Sequence, residues 1–465
     1  MRECMAVESS AAPCPHRRAS DRPFILPRAN YRNVPAFVSY HLRRLGSRLH
    51  RMRIALRVRG WKGLLDRMAT TSVAAGPVAV ARTPGRPAAI PEPTAALPVR
   101  RRVLMMDVSI PRPDRDSGSL RAYNLMRLLR ADGHDVDFLP DDGAWADGYA
   151  EALRGLGVGL RRASRIAGYP SWFARHLADY DALIVSRYHL AEFLVPLARR
   201  IAPQVRVVLD TVDLHHLREQ REAELRGDDA LRRLARSTRR RELAAISAAD
   251  TTWVVSPVER ELLRQELPSA RIEVLPNIHE TVAEPAGSGM RQGLLFVGGA
   301  RHPPNADAIG WLLEDVFPRI RRELPDCELH LVGEGISGLP QARRAGAGVV
   351  VHDHVPDLAP LLDSCRIGLA PLRYGAGIKG KINLYMAHGM PVVATACAAE
   401  GMHLEHEHDV LIADDAQGLA SAVVRACREP ALWQRLADNG VDNVRRHFSF
   451  DAARSAIAAT FAPGR

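Results

Sequence analysis

From residue 101 onward, short continuous apolar runs alternate with helical stretches, and the series occurs twice. RRVLMMDVSI (101–110) is apolar almost throughout, as a strand buried on both faces must be. A polar loop with Pro111, Pro113, Asp116, Gly118 and Ser119 follows, then helical LRAYNLMRLLRADGH and the strand DVDFLP (135–140). Further strands are predicted at 181–186, 205–210, 251–256 and 271–276, with a long charged helix over 214–248. Residues 281–293 interrupt the pattern and read as an interdomain hinge. The second series runs from LLFVGG (294–299) through a helix over IGWLLEDVFPRIRREL and strands at 328–333, 348–353, 367–371, 391–395 and 410–414. A helical stretch over 417–446 and SFDAARSAIAATF close it. Such alternation implies parallel sheets, hence an α/β fold of two Rossmann-like domains facing each other across a cleft. The expected boundaries are 1–100 for a basic extension and linker, 101–285 and 286–447 for the two domains, and 448–465 for a C-terminal helix.

The charge sits in the extension. The first 100 residues carry 18 of the 64 Lys and Arg and 5 of the 53 Asp and Glu, so the rest is close to neutral. An enzyme of nucleic acid would carry its positive field on the folded domains, so no nucleic-acid partner is expected. Residues 1–35 are Pro- and Arg-rich without periodicity, and 70–99 read as an Ala/Pro-rich linker. Between them Val38, Leu42, Leu45, Leu49, Met52 and Leu56 recur at helical spacing among arginines, up to Gly60; a second short helix is expected over 61–68. That helix either docks on the body of this chain or on another protein, or lies on the anionic inner membrane, so residues 36–69 are a candidate peripheral contact. No signal peptide or apolar membrane span is seen, so a cytoplasmic location is expected. The cysteines at 4, 14, 327, 365, 397 and 427 form no CxxC pair; Cys365 and Cys397 read as small core residues.

The chemistry concentrates in LAPLRYGAGIKGKINLYMAHGMPVVATACAAEGM (369–402). Gly375, Gly377 and Gly380 follow a strand, and Lys379 and Lys381, two of only three lysines in the chain, lie among them. A helix is expected over 382–388. Glycines admit an anion close to backbone N–H groups, a helix N-terminus favours negative charge, and lysines add point charge. A diphosphate suits that setting. His302 and Asn305 either contact a nucleotide or serve the helix start, with Asn305 or Asp307 as N-cap. Arg187, Asp213, His215 and His216 lie at strand C-terminal ends, which face the cleft in such sheets. A carboxylate or imidazole there could orient an acceptor hydroxyl or take its proton. The alternative is a salt-bridge cluster opening a charged helix, and HLREQREAELR reads as a solvated face. No metal is expected: no HExxH or Cys/His ligand spacing occurs, and EHEHD (405–409) reads as an exposed loop.

Together these stretches resemble glycosyltransferase family 4, the retaining group 1 enzymes of GT-B fold. FVGGARHPPNADAIGWL, ELHLVGEG, GAGIKGK with MAHGMPVVAT, and ALWQRLADNGVDNVRRHFSF carry the resemblance in the second half. PRPDRDSGSLRAYNLMRLLRADGHDVDF, DTVDLHHLREQREAEL, VVSPVERELL and VLPNIH carry it in the first. The resemblance implies transfer of a sugar from a nucleotide-diphosphate donor to a hydroxyl acceptor in cell-surface polysaccharide or glycolipid assembly. It implies no cofactor beyond the donor, and reaction on one face of the sugar. Arg301, Lys379 and Lys381 would hold the diphosphate, and Gly118 and Ser119 would approach the sugar phosphate. Many members carry two glutamates eight positions apart, one contacting the ribose; here Ala376 and Leu384 stand there, which leaves Glu400 as the candidate ribose contact. A nucleotide-sugar 2-epimerase and an inactive assembly scaffold share the fold and remain alternatives.

Overall fold

The structure is a computed structural model that describes residues 34–70, 90, 99–163 and 168–461. The irregular head and most of the linker read from the sequence lie outside those residues. Two parallel sheets form the frame. The first contains β1 (Arg102–Asp107), β2 (Asp135–Pro140), β3 (Gly159–Leu160), β4 (Ala182–Ser186), β5 (Arg206–Asp210), β6 (Thr251–Val254) and β7 (Ile272–Val274), in the order β3-β2-β1-β4-β5-β6-β7. The second contains β8 (Leu294–Val297), β9 (Leu329–Val332), β10 (Val349–His352), β11 (Ile367–Ala370), β12 (Val392–Ala394) and β13 (Leu411–Ile412), in the order β10-β9-β8-β11-β12-β13. All pairings between these strands are parallel. The α/β double-domain reading therefore holds.

Alternation along β1 shows why its sequence is continuously apolar. Leu104 and Met106 pack into one layer with the helix Tyr188–Ile201, and Val103 and Met105 into the other with the helix Ser117–Ala131. The chain's last helix, Phe450–Phe461, joins that second layer of the first domain. Phe450, Ala453, Ile457 and Phe461 pack beside Val103 and Met105, and Trp253 Nε1 donates to Thr460 Oγ1 at 2.8 Å. The chain thus crosses between domains twice. At the first crossing Arg291, 2% exposed, ties the linker to the second domain through the carbonyls of Ala286, Cys365 and His388.

The long helix expected over 214–248 is two helices, His215–Arg226 and Asp229–Ala248. Gly227 takes the left-handed conformation and ends the first; Asp228 accepts from the amides of Ala230 and Leu231 and caps the second. Folding this hairpin buries Glu219 and Glu242, and Glu222 is buried where the helix meets Tyr374 of the second domain, so the charged run is not a solvated face. The helix over IGWLLEDVFPRIRREL is interrupted by a π turn at Leu312–Val316, where Pro318 has no N–H to continue the ladder. Residues 417–446 likewise divide, into Ala416–Arg428 and Pro430–His447.

The N-terminal helix Val34–Thr70 is kinked at Gly60, whose φ is 67°. It docks on the first domain through Tyr40, Ser47, His50 and Ala55, which are buried. Tyr40 meets Phe193 edge-on at 5.6 Å, Ser47 donates to the His189 carbonyl at 3.1 Å, and His50 Nε2 lies 2.8 Å from Thr238 Oγ1. The apolar row read from the sequence faces the other way.

The ion pair of Arg121 and Asp210, respectively 2% and 1% exposed, joins the helix after β1 to the end of β5 at 3.0 Å. Arg121 also donates to the carbonyls of Leu275 and Pro276, where the interdomain linker begins. Asp210→Ala would strand that guanidinium out of water. The expected cost is about 3–5 kcal/mol in denaturant unfolding; a loss within ~0.5 kcal/mol would show that the pair carries no such constraint.

Candidate functional site

In each sheet the strand order reverses between the first strand and its later neighbour, at β1/β4 and at β8/β11. Loops leaving the C-terminal ends of such strands diverge and leave a crevice. Here the two crevices face each other, and contacts between loops of the two domains define the candidate site.

On the first domain, Asp116 caps the helix Ser117–Ala131, accepting from the Ser119 amide at 2.8 Å and from its hydroxyl at 2.7 Å. Ser119 is therefore engaged in holding the loop. A Cβ on Gly118 would stand 2.9 Å from an Arg187 guanidinium nitrogen, so only glycine lets that arginine close on the loop. Arg187 follows β4 with φ at 73°, and its Nε donates to buried Asp107 at 3.1 Å. Val212, after β5, has φ at 65°. Two non-glycine residues in the left-handed region, both at strand ends beside the crevice, mark a loop set held in a costly conformation by its surroundings.

On the second domain, the loop after β11 carries the glycines. Gly377 has φ at 67°, and a Cβ there would lie 2.9 Å from the Asp213 Cβ; one on Gly380 would lie 2.7 Å from the Ser117 Cβ. These glycines are where the domains touch, a packing role the spacing alone did not reveal. Lys379 is buried and its Nζ donates to the Gly377 carbonyl at 2.7 Å. Lys381, half-buried, donates to Asn305 Oδ1 at 2.8 Å and lies 3.9 Å from the centre of the Phe296 ring. Desolvation lowers the pKa of Lys379, and desolvation together with the Lys379 charge lowers that of Lys381 to about 7. Among the described residues neither lysine is ion-paired to a carboxylate. Glu400 and Glu259 act on Lys379 only from beyond ion-pair distance, so an anion entering beside the two lysines would bring the close negative charge that these carboxylates do not supply.

The other expected residues divide. Arg301 pairs with Glu334 at 3.1 Å on the loop after β8, and Arg115 of the first domain reaches the same carboxylate at 3.4 Å. His302, not Asn305 or Asp307, is the N-cap residue of the helix Pro303–Trp311. Asn305 instead holds Lys381 and donates to the Gly299 carbonyl at 3.2 Å, while Asp307 pairs with Arg373. Asp213 lies against the glycine loop, ion-paired with Arg218 and 3.2 Å from His215 Nδ1. His215 is drawn into the domain: its ring packs edge-on against Tyr188 and His189, and desolvation lowers its pKa. The amides of His215 and His216 donate to buried Glu242 at 3.1 and 3.0 Å, so the pair opens the helix His215–Arg226 on a carboxylate cap. Those contacts fasten both histidines into the start of that helix.

Glu400 accepts from both terminal nitrogens of Arg221 at 2.7 and 2.8 Å, and Arg221 also donates to the Gly375 carbonyl at 2.8 Å. Next to it Glu222 accepts from the Tyr374 hydroxyl at 3.1 Å. A free Glu400 beside a ribose is therefore not what is found; it anchors one helix of the first domain to the loop of the second. Arg221 and Arg115 were missed by sequence reasoning, because each acts across a domain boundary and no local pattern signals that. Leu384 packs on the core of the second domain. Cys365 is buried, whereas Cys397 is half-buried near Lys379 and Arg221. Among the described residues no cluster of three or more His, Cys, Asp or Glu is placed to hold a metal.

Comparison with known proteins bears on this cleft. The family model for glycosyl transferases group 1 matches residues 291–429, and that for the glycosyl transferase 4-like domain matches residues 118–278. A 44.6 kDa uncharacterized protein in the cps region of Klebsiella pneumoniae is 24% identical over 172 residues, which is 35% of this chain and 44% of that protein, under half its length. Among solved structures, sucrose-phosphate synthase from Thermosynechococcus elongatus superposes with a TM-score of 0.59 at 17% identity, over 78% of this chain and 98% of that one. HepE from Anabaena, solved with UDP and glucose, gives 0.58 at 15% identity over 78% and 100%. TarM of S. aureus gives 0.61 at 8% identity over 78% and 99%. At such identities the superpositions speak for the fold alone. The matched regions together take in both crevices and the loops between them, and the chain belongs to the group 1 glycosyltransferases of GT-B fold.

Proposed function

We propose that this protein is a retaining glycosyltransferase that moves a sugar from a nucleotide-diphosphate donor to a hydroxyl acceptor, without a metal, in the assembly of a cell-surface polysaccharide or glycolipid. One observation carries the reading: Lys379 and Lys381 are desolvated, two residues apart, with only neutral groups in hydrogen-bond contact. A diphosphate would bring negative charge into direct contact with both. The helix Gly380–Ala387 starts at the same point, so its first amides add to the field. As the bond from the anomeric carbon to phosphate breaks, negative charge grows on the leaving diphosphate and positive charge on the sugar. Preformed cations aimed at the leaving group lower that barrier without reorganisation. Arg301, on the facing loop, stands where its guanidinium can turn from Glu334 to a phosphate. Contacts such as Arg221 with Glu400 keep the domains together and limit water. The presence of UDP in the HepE and TarM structures, and the cps-region relative, support the donor class and the polysaccharide role.

The direct test is a thermal-shift screen against UDP, GDP, ADP, dTDP and their sugars, with and without EDTA. Ligand at ~100 times its dissociation constant adds ~2.7 kcal/mol to the folded state, a shift of a few degrees. A shift with one nucleotide that EDTA does not change fits the proposal; none with any nucleotide favours an inactive scaffold. An epimerised sugar nucleotide without free nucleoside diphosphate would mark an isomerase. Lys379→Ala is expected to lower turnover at least about tenfold; an unchanged rate would remove that lysine from the mechanism.

The pH dependence follows from Lys381. Its folded pKa of about 7 lies below the ordinary 10.5, so between those values the unfolded chain binds more protons. Unliganded stability therefore rises with pH across that window, and the charged lysine costs most below about pH 7. Lys381→Met should exceed wild type in stability by more at about pH 6.5 than at about pH 9 in denaturant titrations. An equal margin at both would show that Lys381 keeps its ordinary pKa.

A further inference from the structure

The N-terminal helix has two opposed faces, and only one is used. Tyr40, Ser47, His50 and Ala55 dock it on the first domain, fastened further by Arg44 to Asp141 at 2.9 Å and by Arg57 to Asp228 at 2.7 Å. Half a turn round, Val38, Leu42, Leu45, Leu49 and Met52 are 50, 65, 55, 42 and 40% exposed. At about 3.6 residues per turn their spacing keeps them in one row along the helix. They are five of the ten large hydrophobic side chains that are exposed among the described residues, so this is a patch and not the usual scatter.

The rims of the row are basic. Helical spacing places Arg53 along one side and His41 and Arg48 along the other, all of them exposed. Residues 38–60 contain no Asp or Glu. A helix used only to brace the domain would put its leucines inward. Here the leucines point outward and smaller or polar residues make the dock.

We infer that this face seats the protein on an anionic lipid surface, with the leucines entering the acyl boundary and the arginines meeting lipid phosphates. Charge complementarity selects that occupant. A second copy packed row to row would bring two arginine rims together, and a nucleic acid would leave the leucines in water. No described helix is long and apolar enough to cross a membrane, so the contact is peripheral. Because the helix is tied to the first domain at several points, the contact fixes the cleft's pose over the surface. Only the purpose of that pose, delivery of a lipid-borne acceptor, rests on the proposed transferase activity.

The test is flotation of the full chain with vesicles of phosphatidylcholine containing roughly 30% phosphatidylglycerol, and with phosphatidylcholine alone. The wild type should float with the first and, at least about fivefold less, with the second, and lose binding as salt is raised. The triple change L42S, L45S and L49S alters exposed side chains, so the melting temperature should hold while the bound fraction falls at least about tenfold. R48Q with R53Q should weaken binding to the anionic vesicles alone. Equal flotation of wild type and triple variant overturns the inference, as does failure of the wild type to float. A dimer that the triple variant converts to monomer, without flotation, would assign the row to a second copy instead. Nucleotide-induced thermal shifts on the same samples keep the questions apart. Failure of the wild type to float with its shift intact counts against the lipid contact alone; a wild type that floats but shows no shift counts against the transferase reading alone.

Discussion

Two lysines held out of water with only neutral groups in hydrogen-bond contact are the constraint around which this molecule is arranged. Lys379 is offered a backbone carbonyl, and Lys381 an amide oxygen and the face of Phe296. These neutral partners lessen the desolvation cost without cancelling the charge, so an anion still gains by entering. Such a site is stable only on a stiff support. The support is a parallel sheet buried on both faces, with the glycine loop packed against the opposite domain. A side chain at Gly377 or Gly380 would push the domains apart at that point.

The helix His215–Arg226 couples the halves. Its start is fixed by buried carboxylates: Glu242 accepts from the amides of His215 and His216, and Glu259 from that of Leu214 at 3.1 Å. Its second turn sends Arg221 and Glu222 across the cleft to Glu400 and Tyr374. The partner helix Asp229–Ala248 receives the N-terminal helix through Thr238 and its cap Asp228. Strand-end loop, interdomain contact and basic extension therefore share one hairpin, so a surface contact at the extension and a ligand in the cleft act on one rigid piece.

The absence of the glutamate pair takes on a physical sense. Leu384 belongs to the core behind the loop, and Ala376 sits where the loop passes between the domains. The carboxylate that is present, Glu400, is already satisfied by Arg221.

The alternation of apolar strands and helices, and the glycines with two of the chain's three lysines after one of those strands, were determined by the sequence itself. Those features obey local rules: a strand buried on both faces must be apolar throughout, and a chain approaching an anion must shed its side chains. Long charged and apolar helical patterns misled, because their meaning depends on what packs against them. HLREQREAELR reads as solvated until the turn at Gly227 folds a second helix over Glu219 and the second domain covers Glu222 with Tyr374. Arg221, Arg115 and the occupied state of Glu400 emerge only when the two domains meet. The outward face of the leucine row emerges only when Tyr40 and His50 have taken the inward one. Periodicity fixes which side chains share a face; burial against a neighbour decides which face is inside, and that neighbour is far away in the sequence.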